Sequence, residues 1–245
     1  MIEIIPADKH YHNENEWLST YWHFSFDQYY DPANMNFGPL RVFNDDTIQP
    51  AKGFGFHPHR DMEIVTYVVE GELEHRDNQG NKGLIHPGEV QVMSAGSGIV
   101  HSEYNHSKDS PLKLLQIWLY ADQRGLAPSW SQHKFSRELR LNKMLPVVIP
   151  HGYKSNGALT VHQDAKIYIS SLKKGKTVDH RLGEGRKAYM FVIDGQVRVG
   201  DRLLNKRDAA RIKDEEKIVM KAEADTELIL LDLPQKFVAN GSMAE

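Results

Sequence analysis

The 245 residues carry 30 Lys and Arg against 33 Asp and Glu, a formal charge of -3, so there is no broad positive field for phosphates and direct nucleic-acid binding is not expected. With 40% hydrophobic and 26% charged residues, the chain can bury a substantial core, and extended disorder is not expected. Cysteine is absent, which rules out disulfides and thiolate ligands and leaves nitrogen and oxygen as the donors for any metal.

The first segment, MIEIIPADKHYHNENEW, is charged almost from its start and has no apolar stretch of signal-peptide length. No run approaches the roughly 20 apolar residues of a membrane span. A cytoplasmic protein without a membrane partner is expected. Next come Trp17, Tyr21, Trp22, Phe24, Phe26, Tyr29 and Tyr30, a cluster read first as core packing. Short β-type runs then recur, each rich in Val, Ile, Tyr and Phe and bounded by turn residues: 63–76, 114–120, 159–163, 166–172 and 188–199. DNQGNKG (77–83) reads as a hairpin loop. Helix is expected only over 136–145, between Ser136 as N-cap and Pro146 as stop.

An internal repeat organises these strands. TYVVEGELEH (66–75) aligns with MFVIDGQVRV (190–199), and GEVQVMSAGSGIVHSE (88–103) aligns loosely with RDAARIKDEEKIVMKA (207–222). Two copies of one β-unit are implied: an N-terminal domain over 1–130 and a C-terminal domain over 131–245, joined near QRGLAPSWSQHKF (123–135).

The chemistry concentrates in GFGFHPHRDMEIVTYVVEG (53–71) and MSAGSGIVHSEYN (93–105). Side chains two apart on a strand share a face, so His57 pairs with His59 and His101 with Glu103. Burying three imidazoles and a carboxylate costs several kcal/mol without partners, and one divalent cation satisfies all four. His10, His75, His106, His133 and His151 read instead as scattered polar residues.

His57-Pro58-His59 with Glu63, the YVVEG hairpin and SAGSGIVHSE (94–103) resemble the pirin branch of the cupin superfamily, as do STYWHFSFDQYYDP (19–32) and LRVFNDD (40–46). The likeness is dense in the N-terminal half and looser in the C-terminal half. It implies an all-β bicupin, two tandem antiparallel β-barrel (jelly-roll) domains, with one divalent transition metal in the N-terminal lobe. Iron is the first expectation, with Mn, Co, Ni, Cu or Zn as alternatives. The implied ligands are His57, His59, His101 and Glu103, and the implied activity is that of a quercetin 2,3-dioxygenase, cleaving a flavonol with O2 and releasing carbon monoxide.

The general cupin pattern would make Glu63 the carboxylate ligand, whereas the pirin resemblance gives that role to Glu103 and leaves Glu63 beside the site. Glu103 is also the first candidate for the base that takes the substrate's hydroxyl proton, with Glu63 in reserve. The resemblance implies one further alternative, a metal-dependent regulator that binds a protein partner without turnover; a monomer is expected. In the second copy, alignment on the hairpin glycines Gly71 and Gly195 sets Arg181 and Gly183 opposite His57 and His59. Alignment of IVHSE with IVMKA sets Met220 and Ala222 opposite His101 and Glu103, so the C-terminal lobe is expected to bind no metal.

Overall fold

Alternating apolar residues and frequent turns give the chain almost nothing but strands. The computed structural model describes residues 1–244. It contains two copies of one arrangement, each a seven-stranded sheet facing a four-stranded sheet. The N-terminal four-stranded sheet runs Gly53–His59, Ile99–Asn105, Leu73–Asp77, Lys82–Ile85 in spatial order. Its C-terminal counterpart runs Thr177–Arg181, Lys217–Ala222, Gln196–Val199, Arg202–Asn205. The pairing is antiparallel except where Leu145–Pro150 meets Leu159–Val161. Among the described residues, no helix is long and apolar enough to cross a membrane.

The period of two decides what each sheet face meets. Along Met62–Glu70, Ile64 and Val68 enter the interior of the N-terminal lobe, while Val65 and Tyr67 join the apolar seam between the lobes. That seam packs one seven-stranded sheet on the other through Phe43, Ile117, Val148, Ile167, Phe191 and Ile229. The molecule is therefore four layers of sheet, with the two four-stranded sheets outermost. The repeat is visible in the turns. Gly71 and Gly195 both have positive φ, +84° and +86°, and a Cβ on either would collide with backbone from the strand or turn beside it.

Three details differ from the sequence reading. The expected helix is confined to Arg137–Arg140; the Ser136 side chain makes no capping bond, and Pro146 lies inside the strand Leu145–Pro150. The buried Arg140 is drawn instead to Glu227 and Tyr67 across the seam. Residues 129–134, expected within the connection, form a strand paired with Glu89–Ser94, so a division at 130/131 passes through an N-terminal sheet. Conversely, Ile2–Ile5 pairs with Ala209–Lys213 on the edge of the C-terminal sheet, which ties the start of the chain to the second lobe.

Candidate metal centre and cavity

His57 and His101 are direct cross-strand neighbours, and His59 faces Ile99. Beyond His101 the register slips, so that Glu103 opposes Phe54; the histidine strand carries one extra residue there. Gly53 is obligatory beside this bulge, because a Cβ would sit 2.2 Å from the Glu103 carbonyl oxygen. The three imidazoles converge, with ring centroids 4.4 Å apart for His57 and His101, 4.8 Å for His57 and His59, and 4.9 Å for His59 and His101. Their candidate donor atoms all lie within 4.8 Å of one another.

Their protonation suits a metal. Nδ1 of His57 donates to the Gly55 carbonyl at 2.7 Å, which leaves Nε2 as the free lone pair. Nε2 of His101 is buried and has no partner in the protein. Burial, reinforced by the neighbouring imidazoles, pushes His59 and His101 down to about 3, so both are neutral donors at physiological pH.

Glu103 is buried beneath this triad and held on both sides. Gln91 Nε2 donates to Oε1 and Gln116 Nε2 to Oε2, both at 2.8 Å. His75 and Asp77, side by side on the strand Leu73–Asp77, back the site. His75 is fully buried, stacks on Trp130 at 5.2 Å, and lies 3.3 Å from Asp77 and 3.5 Å from Nδ1 of His101. A His101 tautomer that presents Nε2 to a metal places its proton on Nδ1, toward His75. His75 and Glu103 together with His101 form a second convergent donor group.

A cavity of about 310 Å³ opens in front of the imidazoles. Its walls include Trp17, Trp22, Phe26, Phe54 and Trp118, and the Trp118 ring stands edge-on to His59 at 4.8 Å. Asn44 and Asp46, alternate residues of the strand Leu40–Ile48, supply polar surface at its back. Burial pushes the Asp46 carboxyl up to about 7, against the hydrogen bond from Thr20.

The structure thus lines one cavity with His57, His59, His101 and Glu103; the donors of the three imidazoles converge, and Glu103 converges with His101 and His75. It does not bring Glu63 to them. Glu63 and Ile64 are adjacent, so they face opposite sides of the sheet: Ile64 lines the cavity, and Glu63 points into the seam. There its Oε2 accepts from Ser94 Oγ at 2.7 Å and from the His162 N–H of the second lobe at 3.0 Å. His75 and His10 also depart from the surface reading. His75 backs His101, and His10 is buried in a stack on His23, rings 3.6 Å apart. His106, His133 and His151 are exposed. The aromatic cluster divides: Trp17, Trp22 and Phe26 line the cavity, Phe24 joins the seam, and Tyr30 is exposed. Of the aromatics on the histidine strand, Phe54 faces the cavity and Phe56 faces out.

In the second lobe the equivalent strands pair as Val178 with Met220 and His180 with Ile218. Judged by strand pairing, Val178 and His180 take the places of His57 and His59, not Arg181 and Gly183 as the glycine alignment suggested. Met220 and Ala222 do take the places of His101 and Glu103, and both are buried in an apolar interior. His180 is engaged by Asp232 at 2.8 Å, and Arg186 holds the other oxygen of that carboxylate. Among the described residues, both groups of three or more potential ligands lie in the N-terminal lobe.

Paired sheets that turn a cluster of imidazoles and a carboxylate inward, beside an aromatic cavity, define a two-domain cupin with a candidate metal centre in one domain. The chain belongs to the pirin family: the family's model matches residues 6–119, and a model described as the quercetinase C-terminal cupin domain matches 148–233. It is 46% identical to a pirin-like protein of Caulobacter vibrioides, over 95% of this chain and 99% of that one. It is 42% identical to a quercetin 2,3-dioxygenase of Escherichia coli, over 96% and 99%. Among solved structures, the E. coli bacterial pirin YhhW in complex with nickel(II) superposes with a TM-score of 0.90 at 40% identity, covering 96% of this chain and 99% of that one.

Proposed function

We propose that this protein is a metal-dependent dioxygenase that opens a flavonol such as quercetin with O2, using one divalent transition metal held by His57, His59, His101 and Glu103. The observation that carries the reading is the conjunction of three convergent imidazoles, two of them neutral and one with a buried and unpartnered Nε2, and a cavity walled by flat aromatic side chains. The relative called quercetin 2,3-dioxygenase and the nickel-bound structure support it. A cavity near 310 Å³ lies at the small end of the ~300–1,000 Å³ typical of small-molecule sites, which suits a rigid planar ligand.

His57, His59, His101 and Glu103 would hold the metal, which would supply Lewis acidity toward a substrate hydroxyl and redox chemistry toward O2. The protein's own work is positioning. Trp17, Trp22, Phe26 and Phe54 enclose the rings and exclude water, and Asn44 and Asp46 offer polar partners to ring hydroxyls. In the overall balance both oxygen atoms enter the ring-opened ester, and one carbon leaves as carbon monoxide.

The test is aerobic turnover of quercetin by protein loaded in turn with Fe, Mn, Co, Ni, Cu or Zn. Carbon monoxide should form in equal amount to the quercetin consumed, and not with His101→Ala. Protein carrying one metal equivalent that leaves quercetin at its spontaneous rate of loss, with every metal, would refute the reading.

A further inference from the structure

We infer that Asp46, and not the candidate ligand Glu103, is the group that accepts the substrate's hydroxyl proton in this cavity. The inference rests on the flavonol reading for the identity of the substrate, but its structural ground is a hydrogen-bond network whose donors and acceptors can be assigned one by one.

Trp130 Nε1 can only donate, and it donates to Oε1 of Gln91 at 2.8 Å. That contact orients the Gln91 amide, so its NH2 faces Thr66 Oγ1 at 3.1 Å and Glu103 Oε1 at 2.8 Å. Thr66, having accepted from Gln91, donates its hydroxyl proton to Oε1 of Gln116 at 2.9 Å. Gln116 in turn presents its NH2 to Glu103 Oε2 at 2.8 Å. Both oxygens of Glu103 therefore face amide donors whose orientation is set elsewhere. A proton on either oxygen would point at an N–H, and flipping one amide to receive it would set Gln91 N–H against Trp130 N–H or forfeit the Thr66 bond. The network holds Glu103 as an acceptor-only carboxylate, which suits a metal ligand and not a base.

Asp46 is arranged the other way. It is 4% exposed and lines the same cavity. Its Oδ1 accepts from the Thr20 hydroxyl, and its Oδ2 has no partner in the protein. The charged and titratable groups around it are Asp45 on its own strand, Glu103, and Asp27, His57, His59 and His101 on the cavity wall. Burial first, with Asp45 and Glu103 adding to it, pushes its carboxyl up to about 7. A divalent ion at the imidazoles acts in the opposite sense and favours the carboxylate. The transfer is simple: the O–H bond of the bound hydroxyl breaks, an O–H bond forms on Asp46 Oδ2, and the ligand is left as the anion.

Two measurements test this on the full chain. The first needs no substrate. Carboxyl infrared difference spectra of zinc-loaded protein against Asp46→Asn and Glu103→Gln, taken over pH 4–9, should show Asp46 taking up a proton at a pH where Glu103 is still ionised. If Glu103 protonates first, the inference is overturned. The second is anaerobic titration with quercetin, followed by the absorption of its 3-hydroxyl anion. Asp46→Asn should bind the metal as wild type does, raise the pH at which bound quercetin ionises by at least one unit, and slow single turnover roughly 100-fold, the low end of general-base contributions. Glu103→Gln should lose metal affinity. A wild-type ionisation midpoint in metal-loaded Asp46→Asn overturns the inference while leaving the dioxygenase reading intact. If wild type binds no quercetin, the dioxygenase reading falls, and the infrared order of protonation still decides the role of Asp46.

Discussion

The two lobes share the strand order and antiparallel pairing of their four-stranded sheets and differ in what they bury. At the four positions set by His57, His59, His101 and Glu103 in the first lobe, the second has Val178, His180, Met220 and Ala222. The interior around them changes in the same direction: His75 faces Glu103, whereas Val197 faces Ala222. The second lobe is filled mainly by Val, Leu, Ile, Met and Ala. The first keeps a polar interior whose cost, several kcal/mol for each uncompensated buried charge, is met by a network of glutamines, a threonine and paired histidines, together with any metal it binds. One copy is packed with apolar side chains, while the other keeps the convergent donors. Polar-interior residues such as His75, Gln91 and Gln116 are as much a part of that difference as the donors.

The sharpest way to break the comparison is to remove one histidine from each lobe. His101→Ala takes away the central donor, whose Nε2 has no other partner, and should reduce bound metal from one equivalent to none after equilibrium dialysis against Ni(II). His180→Ala removes a side chain held by Asp232 and should leave one equivalent bound, with some loss of thermal stability. Elemental analysis of the two dialysed proteins decides it. A metal that survives His101→Ala and vanishes with His180→Ala would reverse the roles of the lobes.

Much of this was legible in the sequence because strand chemistry is local. The i, i+2 spacing put His57 beside His59 and His101 beside Glu103, and the hairpin glycines revealed the repeat. What escaped depends on which strands lie side by side, and that is set by contacts between distant segments. His75 and Asp77 have the same i, i+2 spacing, yet only the pairing of Leu73–Asp77 with Ile99–Asn105 puts them opposite Glu103 and His101. Asp46 and Glu63 were hidden by the same parity rule working in opposite directions: each alternates with a neighbour on the other face of the sheet, and the faces are known only once the seam is. The glycine alignment slipped because the path from Val178 to Arg186 is three residues longer than that from His57 to Met62. The helix expected over 136–145 shrank because the chain is recruited into a sheet at Leu145–Pro150, between Lys166–Leu172 and Leu159–Val161, a tertiary demand that outweighs local propensity.

That corrected alignment yields a second test, in which the missing donors are put back. Val178→His with Met220→His would set two imidazoles across one strand pair, as His57 and His101 are, with native His180 in the place of His59. The double variant should bind a second equivalent of Ni(II), more weakly than the first by at least ~10-fold, since no carboxylate stands at Ala222 and Asp232 competes for His180. Adding His180→Ala should return the count to one. A folded double variant that still binds one equivalent would mean the lobes differ in more than their side chains.

The smallest effect expected concerns Glu63, which belongs to the seam. Burial pushes its carboxyl up to about 7, despite hydrogen bonds from Ser94 and the His162 N–H. An unfolded glutamate titrates near ~4.3. Between those values the folded protein keeps a proton that the unfolded chain has released, so stability falls as pH rises through this window and stays reduced above it. Taken whole, such a shift corresponds to roughly 4 kcal/mol. Glutamine is neutral throughout and can accept from the same two donors, but its amide NH2 takes the place of Glu63 Oε1, which has no partner, and must find an acceptor such as Asp122. That requirement offsets part of the gain, by ~1–3 kcal/mol if no acceptor is found. Glu63→Gln should therefore flatten the loss of stability between pH 5 and 8 and be more stable than wild type at pH 8 by about 1 kcal/mol, read from urea midpoints. Its bound metal should stay at one equivalent, where Glu103→Gln weakens binding. Unfolding with an unchanged pH slope would place the Glu63 proton elsewhere, and a fall in metal content with Glu63→Gln would return that residue to the metal site.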